Sequence, residues 1–121
     1  MSPREYFELG IDLFNDGKFF ECHEAWEEIW KRSVGGDKLF YQGLIQAAVA
    51  ILHVERGNRE GAAAVYSRAR ARLDPVADHH LGLEIGEFRR SLADFFATAL
   101  SAGGSTPHRP KLHRAFRKTA P

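Results

Sequence analysis

From Leu39 to Arg56 the chain reads LFYQGLIQAAVAILHVER, a run without proline that is apolar almost all round at helical spacing. A helix hydrophobic on nearly every side has to be enclosed by other elements, so this segment predicts the central helix of an all-α fold. The longest purely apolar stretch inside it, Ala47 to Leu52, falls far short of the roughly 20 residues that cross a bilayer. No alternating pattern of apolar and polar residues marks a strand.

The flanking segments supply the helices that would enclose it. Ser2-Pro3-Arg4-Glu5 reads as a helix start, with Ser2 as N-cap, Pro3 in the first turn and Glu5 closing a capping box, and the first helix runs to about Phe14. Asn15-Asp16-Gly17 carries turn chemistry, and a second helix follows from about Phe19 to Arg32. Gly35-Gly36-Asp37 breaks that helix and offers Asp37 as the cap of the third, over Lys38 to Arg56. Gly57 suits a left-handed C-terminal cap and Asn58 a new N-cap, so helices three and four predict a tight antiparallel hairpin. Helix four ends before Pro75, residues 74–83 read as a loop, and Ile85, Phe88, Leu92, Phe95, Phe96 and Ala99 mark one face of a fifth helix. The expectation is an all-α array of five helices built from antiparallel hairpins.

At 121 residues the chain fits one domain over residues 1–100, followed by a Pro- and Gly-containing segment, 101–121, too poor in apolar residues for a core of its own and read as extended or mobile. Charge divides the same way. Residues 1–100 carry 12 Lys and Arg against 16 Asp and Glu, whereas 101–121 carry 5 against 0. An acidic body argues against a nucleic-acid groove on the domain. Only the tail, through Arg109, Lys111, Arg114, Arg117 and Lys118 with Phe116 as its one aromatic, could touch phosphates. The single cysteine, Cys22, excludes an internal disulfide, and with no signal-peptide pattern at the N-terminus the reading is a cytoplasmic protein.

Polar residues inside the apolar helices mark the candidate site. On helix two, Phe19, Cys22, Trp26, Ile29 and Trp30 share a face that includes His23, with Glu27 one turn later; on helix three Gln42, Gln46 and His53 fall on one stripe. Gly43, Ala47 and Ala50 beside that stripe predict a close approach of helix two. His23, Glu27, Gln46 and His53 then form a buried polar site between helices two and three, either a satisfied network that fixes register or the lining of a pocket for a small ligand. Were it catalytic, His23 polarised by Glu27 would be the general base, although no nucleophile is evident, and Cys22 reads as an inert core thiol. HEAWE is not the HExxH of metalloproteases, because Glu27 stands where the second histidine belongs, and no cofactor or metal is assigned. His79 and His80 read as exposed loop residues, Trp26 and Trp30 as core, and Arg68, Arg70 and Arg72 as a solvated surface.

The segments FNDGKFFECHEAWEEIW and YQGLIQAAVAILHVERGNREGA together resemble the uncharacterised family catalogued as domain of unknown function 309. The pattern falls on Phe20, Glu21, His23, Glu24, Glu27 and Trp30, then on Gly43, Leu44, Ile45, Gln46, His53, Gly57 and Asn58, within a similarity over about residues 5–100. The resemblance implies a compact all-helical domain found mainly in bacteria, with no established activity, and it adds Glu24 to the ligand-binding candidates His23, Glu27, Gln46 and His53. Two alternatives to a small-ligand site stand beside it. One is a tetratricopeptide-like interaction module made of helix hairpins, without that repeat's signature residues or period; the other is a metal-assisted hydrolase using the same histidines.

Overall fold

The computed structural model describes residues 1–103 and 107–114. Five helices, α1 (Pro3–Asn15), α2 (Phe19–Trp30), α3 (Gly35–Glu55), α4 (Arg59–Leu73) and α5 (Ile85–Ala99), make an all-α array, with one short hairpin, β1 (His79–His80) and β2 (Leu83–Glu84), between α4 and α5. Short connections make α1 and α2, α2 and α3, and α3 and α4 antiparallel neighbours, and the closest association is that of α3 with α4.

The caps explain most boundaries. At α1 the Ser2 hydroxyl accepts from the Glu5 N–H at 3.1 Å while Glu5 Oε1 accepts from the Ser2 N–H at 2.8 Å, and these bonds hold the Glu5 carboxyl below its ordinary pKa. Gly57 at φ 76° ends α3, and the Asn58 side chain accepts from the Gly61 N–H at 2.9 Å to start α4. The second junction departs from expectation: α2 stops at Trp30 and α3 begins at Gly35, with extended Val34 as the capping residue and no side-chain cap. Asp37 sits inside the first turn, where the helix dipole still favours a carboxylate without any capping bond.

Residues 74–83 are likewise not a plain loop. Leu81 (φ 49°) and Gly82 (φ 76°) form a two-residue turn with both residues left-handed, pairing His79 with Glu84 and His80 with Leu83. Two residues per strand are too few for alternation to register in the sequence. His79 is exposed and bonds Glu84 at 2.9 Å, whereas His80 is half-buried, edge-on to Phe40 at 4.6 Å.

Trp26, wholly buried, occupies the centre of the core. Its indole N–H donates to the Phe7 carbonyl at 3.2 Å, its ring stacks on Phe14 at 6.0 Å, and Phe14 meets Phe19 and Phe88 edge-on. The indole lies against Gly10, where a Cβ would occupy the same space as the ring. α1 and α2 therefore touch through a glycine.

The described part of the tail packs on the body. Leu112 is 1% exposed, and the Asn15 side-chain amide exchanges two bonds with its main chain, Nδ2 donating to Leu112 O at 3.0 Å and Oδ1 accepting from Leu112 N–H at 2.8 Å. Arg114 pairs with Glu8 and Asp12 and forms a bridge to Leu83, Arg109 pairs with Glu55 at 3.0 Å, and Lys111 donates to Asn15 O. These three cations, which the sequence reading offered to phosphates, are thus engaged with carboxylates or main chain. Phe116, Arg117 and Lys118 lie outside the described residues.

Gly10→Ala tests the α1–α2 contact. Alanine is the better helix former by about 1 kcal/mol, yet overpacking against Trp26 costs typically 1–3 kcal/mol; a net fall in stability on urea denaturation is expected.

Candidate functional site

No polar or charged residue among those described is fully buried, and this corrects the expected dry network. The buried stripe of α2 is Phe19, Cys22, Ala25, Trp26 and Ile29. His23 lies roughly 100° round the helix from its middle, so its side chain remains 28% exposed, and it bonds Glu27 Oε2 through Nε2 at 3.2 Å with Glu27 44% exposed. Phe20 and Glu24 project further outward on the same side, Phe20 at 49% exposure with its ring 6.3 Å from that of His23.

On α3 the predicted stripe exists but faces outward. Phe40, Leu44, Ala47 and Ile51 go to the core, whereas Gln42, Gln46, Val49 and His53 are half-buried and Leu39 is exposed. The small-residue strip brings in α4 rather than α2: a Cβ on Gly43 would stand 2.8 Å from Arg72 Cβ and 3.0 Å from Leu73 Cδ2. α2 packs on another side of α3, leaving the stripe as the floor of a surface seam between α2 and α4.

Helical rise decides which candidates can meet. Lys38 Nζ lies over the Trp30 ring at 4.4 Å, which sets the level of α2 against α3. His23 lies seven residues before Trp30 on α2, and His53 lies fifteen residues beyond Lys38 on the antiparallel α3, a difference of about 12 Å along the axes at ~1.5 Å per residue. His53 takes its own partner instead, Asn58, whose Nδ2 is 3.3 Å from Nδ1. The candidates therefore divide into a His23–Glu27 pair on α2, with Glu24 exposed beside it, and a separate His53–Asn58 pair at the end of α3.

Among the described residues three buried side-chain atoms lack a hydrogen-bond partner: Trp30 Nε1, Gln46 Oε1 and Arg72 Nε. They belong to α2, α3 and α4. Trp30 lies beside Lys38 of α3 and Arg72 against Gly43 of α3, so with Gln46 the three residues border about 12 Å of the length of α3. Only Gln46 was legible in the sequence. Trp30 read as core because a wheel places its ring but not its N–H, and Arg72 read as solvated because the contact with Gly43 depends on how α4 returns.

Chemically the seam offers two donors, an acceptor and an imidazole–carboxylate pair able to hold or pass a proton. Among the described residues no group of three or more His, Cys, Asp or Glu side chains could hold a metal ion, so the hydrolase alternative has no ligand set there. Nor is any described helix long and apolar enough to cross a membrane. Cys22 is wholly buried, and burial pushes its thiol far above the ordinary range.

Residues 7–65, from α1 to the middle of α4, carry the family segment described as "Domain of unknown function (DUF309)", which upholds the resemblance read from the sequence. Among curated relatives, an uncharacterized protein of Aquifex aeolicus (strain VF5) is 33% identical over 86 residues, 70% of this chain and 26% of that protein. The uncharacterized protein YpuF of Bacillus subtilis (strain 168) is 38% identical over 63 residues, 51% of this chain and 36% of that protein. The chain thus spans about a quarter to a third of the length of these relatives. His23, Glu24, Glu27, Gln46, His53 and Trp30 all fall inside the family segment, whereas Arg72 and α5 lie beyond it.

A raised thiol pKa means the thiolate is scarce at neutral pH, and burial also blocks access. Cys22 is expected to react with Ellman's reagent at pH 8 only on the timescale of unfolding, and to become fully reactive in denaturant.

Proposed function

We propose that this is a binding domain whose ligand, a small polar molecule, lies on the outer seam of α2, α3 and α4. The observation that carries this reading is that the buried, unpartnered side-chain atoms among the described residues, Trp30 Nε1, Gln46 Oε1 and Arg72 Nε, come from the three successive helices α2, α3 and α4. A buried polar group without a partner costs about 1–3 kcal/mol; three on successive helices are accounted for together by a ligand that accepts from the indole and the guanidinium and donates to the carboxamide. His23, held by Glu27, supplies a further donor or acceptor, and Glu24 gives the rim a negative charge. His53 takes part only in a ligand long enough to reach the Asn58 end.

A protein-interaction role is the second reading. It is favoured by exposed Phe20 and Leu39 (49% and 48%) beside the same seam, an arrangement suited to an apolar anchor on a partner. The two readings differ in what recognition needs: polar atoms for the small ligand, and Phe20 and Leu39 for a partner.

The test is a fragment screen followed by amide and indole chemical shifts. Fragments are expected to move the Trp30 indole N–H and the Gln46 side-chain amide together. Gln46→Leu should abolish the fragment-induced shift of the Trp30 indole N–H while leaving stability unchanged or about 1 kcal/mol higher, because it removes an unsatisfied acceptor. Fragments that perturb only residues away from the seam, with Gln46→Leu destabilising, would make the glutamine a structural residue and overturn the reading.

A further inference from the structure

A separate cleft opens between α4 and α5, and all the residues that line it lie C-terminal to the family segment. Its origin is mechanical. At one end the Arg89 guanidinium donates to the carbonyls of Leu73 (3.0 Å) and Val76 (2.7 Å) and pairs with Asp78, so it satisfies the C-terminus of α4 from α5. At the other end Arg59, in the first turn of α4, donates to the carbonyls of Leu100 (2.7 Å) and Ser101 (2.6 Å) at the end of α5. Two arginines thus tie the helices at both ends, each covering the partially negative carbonyl end of the other helix. Between the ties α5 presents Leu92 and Phe96 together with Ala93 and Ala97, two side chains too short to close the gap, and a cleft of about 430 Å³ remains. That volume lies within the range of small-molecule sites.

The lining has two parts. Its floor is apolar: Tyr66 stacks on Phe96 with ring centroids 4.1 Å apart and planes at 16°, and Leu92 continues the surface. Its rim is charged, with Arg70 and Asp74 one turn apart on α4 and Arg89 opposite. Arg89 is already committed to carbonyls and Asp78. The Arg70 guanidinium lies 5.8 Å from the centre of the Tyr66 ring, and among the described residues it has no carboxylate within ion-pair distance. Burial, more than the neighbouring charges, raises the pKa of the Tyr66 phenol, so its hydroxyl stays protonated and able to donate.

We propose that this cleft is a second binding site, independent of the α2–α4 seam, for a small amphiphilic anion whose flat apolar body lies over Tyr66 and Phe96 beside Ala93 and Ala97, and whose carboxylate or sulfonate pairs with Arg70. With Arg89 neutralised by Asp78, the charges left on the lining are Arg70 and Asp74, and Arg70, held at the Tyr66 ring on the floor, is the one placed to meet the charge of a ligand that lies there. Aromatic area supplies the affinity and the planar guanidinium fixes the orientation.

The probe is 8-anilinonaphthalene-1-sulfonate, an aromatic body bearing one fixed anion, titrated into the full chain, with 1-naphthylmethylamine as its cationic counterpart. Saturable binding of one equivalent is expected, with the amine at least tenfold weaker. Arg70→Gln should weaken the sulfonate about tenfold, the size of a charge-assisted hydrogen bond, and Ala97→Trp should abolish binding by filling the cleft. Both positions are exposed, so the variants should retain the parent melting temperature, and Ala93→Leu provides a milder filling variant. Gln46→Leu should bind the probe as the parent does, which separates this site from the seam. Absent or non-saturable binding, insensitivity to Ala97→Trp and Ala93→Leu, or tighter binding of the amine would overturn the proposal.

Discussion

The indole of Trp26 lying on the bare backbone of Gly10 is the contact on which the arrangement depends. A ring of that size can reach the centre of a small domain only where a neighbouring helix has no side chain, and its N–H can be buried only where a carbonyl is free. Phe7 offers that carbonyl at 3.2 Å. With the indole fixed, Phe14 stacks on it and passes the packing to Phe19 and, across the molecule, to Phe88 of α5. One aromatic cluster thereby joins α1, α2 and α5.

α3 then has its place imposed from several sides. Its core face meets the interior, Gly43 admits α4, and another side receives α2, so the remaining stripe reaches solvent along a seam. The polarity of Gln42, Gln46 and His53 follows from this geometry: they occupy the part of an enclosed helix that the neighbours leave uncovered. α4 plays two parts. Its flank toward α3 supplies Arg72 to the seam, while its opposite flank carries Tyr66 and Arg70 to the cleft with α5. The two candidate binding surfaces are thus built on the two sides of one helix, one within the family segment for the most part and one outside it.

The sequence made the helices legible because their punctuation is local. Ser2, Gly57 and Asn58 act through bonds to residues within five positions, and the apolar periodicity of α5 needs no partner to be recognised. What it could not convey is rotation and neighbour choice. His23 shares the broad apolar face of α2 but sits at its rim, and the difference between rim and centre depends on how α2 lies against α1 and α3. The small strip at Gly43 did announce a close approach, though the helix that uses it is α4. His23 and His53 looked like one site because a wheel collapses the axis, and the ~12 Å of rise between their levels is invisible in projection. The docked tail carries no local signal, since the partner of Leu112 is the asparagine that ends α1.

That asparagine has a consequence for how the molecule comes together during synthesis. Asn15 and Leu112 are 97 positions apart, and their paired amide bonds close after every helix between them has left the ribosome. The helical array can form progressively from its hairpins as they emerge, and fastening the Lys111–Arg114 stretch across α1 follows the fifth helix. The last residue of the first helix is thus held by a segment that follows the fifth.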